Sequence, residues 1–224
     1  MRTLLWLALL SAVPALAGPL DSFSNADAVK GLKDALTQGA SAAVAKLGVD
    51  DGFLKNPKVK IPLPENLQKV ERMLRTFGMG QQADELVVAM NRAAEAAVPE
   101  AKALLIDAVK KMSVADAKQI LNGGDNAATQ YFRKVTEAPL TQKFLPIVNE
   151  ATQKVGLAQQ YNQFAASGAR FGLVKEEDTK IENYVTRRAL DGLYLVIGEQ
   201  EKALRENPVQ ASTSMAKKIF DALK

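Results

Sequence analysis

The sequence predicts an all-α protein, a helical bundle of about eight to ten helices with one extended, proline-rich arm. Apolar residues recur at three- and four-residue steps along most of the chain, which is the period of one helix face. Residues suited to helix ends, such as Ser24 and Gly48, flank these stretches. Outside residues 52–64, no stretch alternates apolar and polar residues in the way that predicts strands.

The first helix is predicted to follow Ser24, because Asp27 lies three positions later and completes an N-terminal capping pattern. The helix is predicted to end at Leu47. Residues 52–64 (GFLKNPKVKIPLP) then contain three prolines, which forbid a helix there. Val59, Ile61 and Leu63 alternate with other residues, so this arm is predicted to lie extended against the core.

The later helices follow from the same period and from further end signals. Ser113 and Asp116 predict the start of a short helix, and Asp125 is a candidate cap for the next one. Pro139 and Pro146 bracket the turns that follow, and a helix start or a kink is expected at Pro146 because its ring removes a backbone donor. The other helices are predicted at about 65–77, 81–98, 99–112, 178–205 and 208–223.

The first seventeen residues have the pattern of a secretory signal peptide. Arg2 gives a positive start, residues 3–13 are an apolar run too short to span a membrane, and residues 15–17 (ALA) form a small-x-small cleavage site. We therefore expect an exported protein, with a signal peptide at residues 1–17, cleavage after Ala17, and a single helical domain at residues 18–224. No later apolar run predicts a transmembrane segment.

The composition argues against several classes of function. The chain has no Cys and no His, so it lacks the usual nucleophile–base pairs and nearly all zinc ligand sets. A net charge of +4, evenly spread, does not predict nucleic-acid binding. The glycine-rich residues 78–83 lack the preceding strand of a dinucleotide site, and residues 122–126 lack the ligand spacing of a calcium loop. We predict no cofactor and no metal.

Two polar clusters are the candidate ligand-binding residues. Asn91, Arg92 and Glu95 interrupt an alanine-rich helix, and the last two are three positions apart, so they pair on one face. The cluster either fixes the helix register or lines a site, and both alternatives stay open. The second cluster is a stripe on a later helix together with two residues of an earlier segment: Tyr184, Arg188, Asp191, Thr129 and Tyr131.

Four ordered motifs resemble a known bacterial family. They are GFLKNPKVKIPLP (52–64), MNRAAEAAVPEA (90–101), ILNGGDNAATQYF (120–132) and YVTRRALDGLYLVIGEQE (184–201). The family consists of exported helical proteins catalogued as domain of unknown function 4197, and the resemblance covers nearly the whole mature chain. It implies a Gram-negative, periplasmic setting. It transfers no catalytic residue, ligand or partner.

Three functions are compatible with these residues. A helical bundle with Phe, Met and Tyr on inner faces favours a non-enzymatic binding protein for an apolar or amphipathic ligand. The first alternative is an envelope protein that engages another protein through a helix face or through the arm, where Lys55, Lys58 and Lys60 lie between apolar residues. The second is a carboxylate-based enzyme with Glu95 as acid or base. Binding or interaction is favoured over catalysis, and the oligomeric state is not predicted.

Overall fold

The computed structural model describes residues 24–78, 80–169 and 179–222, and this part of the chain is all-α. It contains nine α-helices, two short 3₁₀ turns and no strand, as predicted. The predicted signal peptide lies outside the described residues. The helices are α1 (Asn25–Leu47), α2 (Glu65–Thr76), α3 (Gly80–Ala97), α4 (Ala101–Lys111), α5 (Val114–Leu121), α6 (Ala127–Thr152), α7 (Gly156–Ala169), α8 (Ile181–Glu206) and α9 (Ser214–Asp221).

Helices α6 and α8 form the centre of the bundle. They pack along each other, α3 covers α6, and α1 packs against α8, α9 and α4. The largest fully buried side chains include Tyr194 of α8, Phe132 and Phe144 of α6, and Phe220 of α9. Burial of apolar side chains is the main stabilising contribution to a core that has no disulfide, and these aromatic side chains bury the most area per residue.

Local signals set several helix ends where they were predicted. The Ser24 side chain accepts a hydrogen bond from the Asp27 N–H, and α1 begins at Asn25. Ser113 and Asp116 form a complete capping box at the start of α5. Pro99 lies in a 3₁₀ turn between α3 and α4 rather than at the first position of an α-helix. Its fixed φ suits either conformation, so the sequence alone did not distinguish them.

Helix α6 runs through Pro139 and Pro146 without ending, so neither the turns expected there nor a helix start at Pro146 is present. Proline removes one N–H from the helix ladder, which leaves the carbonyl four residues earlier without its donor. Those carbonyls belong to Val135 and Gln142, which lie on the exposed side of α6, so solvent can reach them. On the opposite side a buried row keeps the helix continuous: Phe132, Leu140, Phe144 and Val148.

The chain between α1 and α2 contains no helix and no strand, and we refer to its residues 52–64 as the proline segment. Four of its apolar side chains are buried against the bundle: Phe53, Val59, Ile61 and Leu63. Its three lysines, Lys55, Lys58 and Lys60, are exposed. One side of the proline segment is therefore part of the folded core, and its charged side chains face water.

Gly192 of α8 makes room for the proline segment, and this leads to a stability prediction. A Cβ atom at Gly192 would lie 2.7 Å from a ring carbon of Phe53 and 3.2 Å from the Val59 Cβ. We expect Gly192→Ala to lower the free energy of unfolding by about 1–3 kcal/mol through overpacking. The measurement is urea unfolding followed by circular dichroism.

Gly198→Ala on the same helix is the matched control. Its Cβ would lie 3.4 Å from the Thr129 Oγ1, which is an ordinary contact. Because Ala favours a helix over Gly by up to about 1 kcal/mol, this variant is expected to be as stable as the wild type or more stable. Equal stability of the two variants would show that Phe53 does not need the space at Gly192.

Candidate functional site

Glu95 is a buried carboxylate that binds the backbone of the proline segment. Its side chain is 4% exposed. The Oε1 atom accepts hydrogen bonds from the N–H groups of Phe53 and Leu54, both at 2.9 Å. The Oε2 atom accepts one from the Arg92 Nη1 at 2.6 Å. Two backbone donors and one guanidinium compensate the cost of burying this charge.

Arg92 connects Glu95 to the start of the same segment. Its Nη2 lies 2.8 Å from the Asp51 Oδ1, and Asp51 also pairs with Lys55 at 2.7 Å. The hydrogen bond from Lys55, followed by that from Arg92, holds the pKa of Asp51 below its usual value. The hydrogen bond to Glu95, assisted by Asp51, raises the pKa of Arg92. Asp51 has a φ of 67°, a left-handed conformation that Asp tolerates better than most residues.

Asn91 and Tyr184 bind the far end of the proline segment. The fully buried Asn91 accepts a hydrogen bond from the Ile61 N–H at 2.8 Å and donates one to the Ile61 carbonyl at 2.9 Å. The Tyr184 hydroxyl donates to the Pro62 carbonyl at 3.1 Å. Four of the eight candidate residues, Asn91, Arg92, Glu95 and Tyr184, therefore meet at one place and hold this segment against α3 and α8.

The other four candidates do not join that cluster. Tyr131 donates a hydrogen bond to the Ala108 carbonyl of α4 at 3.0 Å. Thr129 and Asp191 both line a shallow α6–α8 groove of about 420 Å³, in which Asp191 pairs with Arg133 at 3.0 Å. Arg188 is exposed, and no described residue pairs with its side chain. Spacing on α8 predicted a shared stripe, but Tyr184 binds the proline segment, Asp191 pairs with Arg133 of α6, and Arg188 is exposed.

Sequence reasoning missed a second buried carboxylate, Glu201 of α8. It accepts hydrogen bonds from the Ala128 N–H at 3.0 Å and from the Thr129 N–H at 2.9 Å, and it pairs with Arg205 at 3.1 Å. Glu201 thereby caps the start of α6, where the Asn126 side chain makes no capping bond. The four-residue spacing of Glu201 and Arg205 was the available signal, but an exposed helix face has the same spacing.

A surface groove lies between α2, α3 and the proline segment, and we refer to it as the α2–α3 groove. Its volume is about 620 Å³. Its lining residues are Leu54, Lys60, Pro62, Leu63, Gln68, Asp84, Val87 and Val88. Glu95 binds the backbone of Leu54 and Tyr184 binds that of Pro62, and both of these residues line the groove, while Asn91 binds Ile61, which lies between the lining residues Lys60 and Pro62 in the chain. Those three candidates therefore position the wall of the groove, and none of them lines it.

Comparison with known proteins identifies the family. The family model described as a protein of unknown function (DUF4197) matches residues 22–221. The chain belongs to the DUF4197 family. No curated protein and no solved structure shows significant similarity to it. The family assignment agrees with the four motifs, and three of these motifs supply the contacts that hold the proline segment in place.

One part of the interior of this DUF4197 chain is closely packed. Between α1, α6, α8 and α9, a cavity lined by residues such as Leu32, Phe132 and Phe220 has only about 10 Å³ of free space. That is about the room needed for one water molecule, whereas pockets for small organic ligands are about 300–1,000 Å³. A ligand of that size fits the surface grooves and not this cavity.

Among the residues that the structure describes, no helix combines the length and the apolar character needed to cross a bilayer. Within the same residues, no three Asp and Glu side chains converge in a way that would hold a metal ion.

Proposed function

We propose that this protein is a non-enzymatic binding protein that holds an apolar or amphipathic ligand in the α2–α3 groove. The observation that carries the proposal is the size and chemistry of this groove, since about 620 Å³ lies within the range of small-molecule sites. Its described lining combines apolar residues of Leu, Val and Pro with three polar ones, Lys60, Gln68 and Asp84, and this mixture suits an amphipathic ligand.

The contacts of Glu95 favour binding over catalysis. Both of its oxygens are occupied, one by two backbone N–H groups and the other by Arg92. Glu95 does not line the α2–α3 groove, so it is not within reach of a ligand held there. The one carboxylate among the described lining residues, Asp84, is paired with Arg75 at 2.7 Å. Hydrolysis by a carboxylate pair requires a second carboxylate at the same place.

An envelope interaction protein is the second candidate. Phe77, at the end of α2, is 75% exposed, and Val88 on the adjacent α3 is 44% exposed. Large exposed apolar side chains such as these are a feature of protein-binding surfaces. The proline segment supports this candidate less well, since its apolar side chains are buried and it presents lysines to solvent.

Export to the periplasm is part of the proposal and rests on the signal-peptide pattern of residues 1–17. Native mass spectrometry of protein purified from the periplasm addresses both points. The expected mass corresponds to a chain that begins at Gly18 and carries a bound molecule released by organic solvent. Intact precursor in the cytoplasm would contradict export to the periplasm. A chain that carries no ligand but crosslinks specifically to an envelope protein would favour the second candidate.

A direct binding test uses a neutral probe and two matched variants. We expect the uncharged dye N-phenyl-1-naphthylamine to bind saturably and Val88→Gln to weaken binding about five-fold, as loss of roughly 1 kcal/mol of apolar contact would. Val135→Gln is the control, because Val135 on α6 is similarly exposed (40%) and lies outside the groove. Absence of saturable binding, or equal binding by both variants, would contradict the groove as the site.

A further inference from the structure

The three lysines of the proline segment have different electrostatic environments. Lys55 pairs with Asp51 at 2.7 Å, and Lys58 pairs with Glu199 at 2.5 Å. Lys60 forms no ion pair and no side-chain hydrogen bond with any described residue. Lys60 is also the one of the three that lines the α2–α3 groove. A lysine next to apolar walls without a protein carboxylate is available to an anion from solution.

The other charged residue among the described lining residues does not compensate Lys60. The Asp84 carboxylate is bound by Arg75 through two hydrogen bonds, at 2.7 and 3.3 Å. The hydrogen bond from Arg75 holds the pKa of Asp84 below its usual value, so this carboxylate stays charged and paired. Among the described lining residues, Lys60 thus carries the one positive charge that no carboxylate compensates.

The apolar lining completes the recognition pattern. Leu54 and Leu63 come from the proline segment, and Val87 and Val88 come from α3, so apolar surface flanks Lys60 from two elements. A ligand that satisfies both features has an apolar chain and one negative charge at its end. The volume of about 620 Å³ suits a single small molecule and not a two-chain lipid within a bilayer.

We propose that Lys60 binds the head group of a monoanionic, single-chain amphiphile of the fatty-acid type, whose chain lies against Leu54, Val87 and Val88. This inference rests on the proposed function and adds the class of ligand. One lysine ammonium matches one carboxylate as a point charge, and the neighbouring apolar walls bury the chain.

The test measures how well two ligands of equal chain length displace the neutral dye from the mature protein. Each ligand is used at a concentration at which it stays dissolved as single molecules. Dodecanoate is expected to bind about five-fold more tightly than dodecanol, a difference of the size that one partly exposed charge pair gives, and added salt should reduce the difference. Lys60→Met keeps most of the side-chain length and removes the charge, so it should abolish the preference. Lys58→Met, with its lysine outside the groove, should keep it.

The outcomes separate the two proposals. Equal affinity for dodecanoate and dodecanol in the wild type, with dye binding retained, would overturn the role of Lys60 and leave the groove as a binding site. No dye binding at all would overturn the proposed function itself. Binding to anionic phospholipid vesicles, reduced equally by Lys58→Met and Lys60→Met, would also overturn this inference, because it would indicate a general attraction of the lysines to membranes.

Discussion

Glu95→Ala is expected to lower the free energy of unfolding by about 2–4 kcal/mol, because a buried backbone N–H that loses its acceptor costs about 1–3 kcal/mol. The N–H groups of Phe53 and Leu54 both lose their acceptor in this variant. Arg92 retains Asp51, which limits the loss. Urea unfolding measures the stability, and limited trypsin digestion at the lysines of the proline segment reports whether that segment has loosened.

Two further variants make the result specific. Glu95→Gln keeps an oxygen that accepts from Phe53 and Leu54 but loses the charge, so we expect it to be clearly more stable than Glu95→Ala. Glu100→Ala removes an exposed glutamate just beyond α3 and should change stability by less than about 0.5 kcal/mol. If Glu95→Ala unfolds at the wild-type urea concentration, the carboxylate does not hold the segment in place.

Loss of Glu95 should also affect the α2–α3 groove. Glu95 binds the N–H of Leu54, and Leu54 lines the groove together with Pro62 of the same segment. We therefore expect Glu95→Ala to weaken binding of the neutral dye although Glu95 does not touch the groove. The effect arises because Glu95 positions the wall of the groove. It would link the cluster of Asn91, Arg92 and Glu95 to the proposed function.

Glu201→Ala is expected to have the largest effect, a loss of about 3–5 kcal/mol, as observed when one partner of a buried charge pair is removed. Arg205 is only 13% exposed and would lose its carboxylate, retaining the Ile120 carbonyl and the ring of Phe220. The N–H groups of Ala128 and Thr129 would lose their acceptor as well. Such a loss is a large fraction of the 5–15 kcal/mol that stabilises a typical domain.

Hydrogen exchange identifies where Glu201→Ala acts. The first amides of α6 should exchange faster in this variant, since the carboxylate no longer holds the start of that helix. Glu206→Ala is the control on the same helix. Glu206 is exposed and lies 3.7 Å from Lys202, so its removal should cost less than about 0.5 kcal/mol. Faster exchange spread evenly over the bundle would contradict a local capping role.

The sequence predicted most helices because their signals are local. Ser24 with Asp27, and Ser113 with Asp116, act within one turn of helix, and the apolar period requires no knowledge of distant residues. The prolines of α6 misled this reasoning, since a local rule assigns them to boundaries. The buried row from Phe132 to Val148 decides the continuity of α6, and its partners belong to other helices.

The sequence predicted only part of the candidate site, because residues that contact each other there are far apart along the chain. Composition singled out Asn91, Arg92 and Glu95, and spacing predicted that Arg92 and Glu95 pair. Whether this cluster lines a site or fixes structure depends on Phe53, which lies 42 positions from Glu95. No pattern within a helix specifies such a partner. The structure shows a supporting cluster beside a groove, with the groove lined by other side chains.

By itself, then, the sequence determined the all-α class, the principal helices and the membership of a family, since periodicity, caps and motifs are properties of neighbouring residues. Tertiary structure decided the partners of its buried charges. Glu201 accepts a hydrogen bond from the N–H of Ala128, which lies 73 positions away in the chain. Lys58 differs from Lys60 because it pairs with Glu199 of α8. A buried charge requires a partner, and only the packing of distant helices determines which group that partner is.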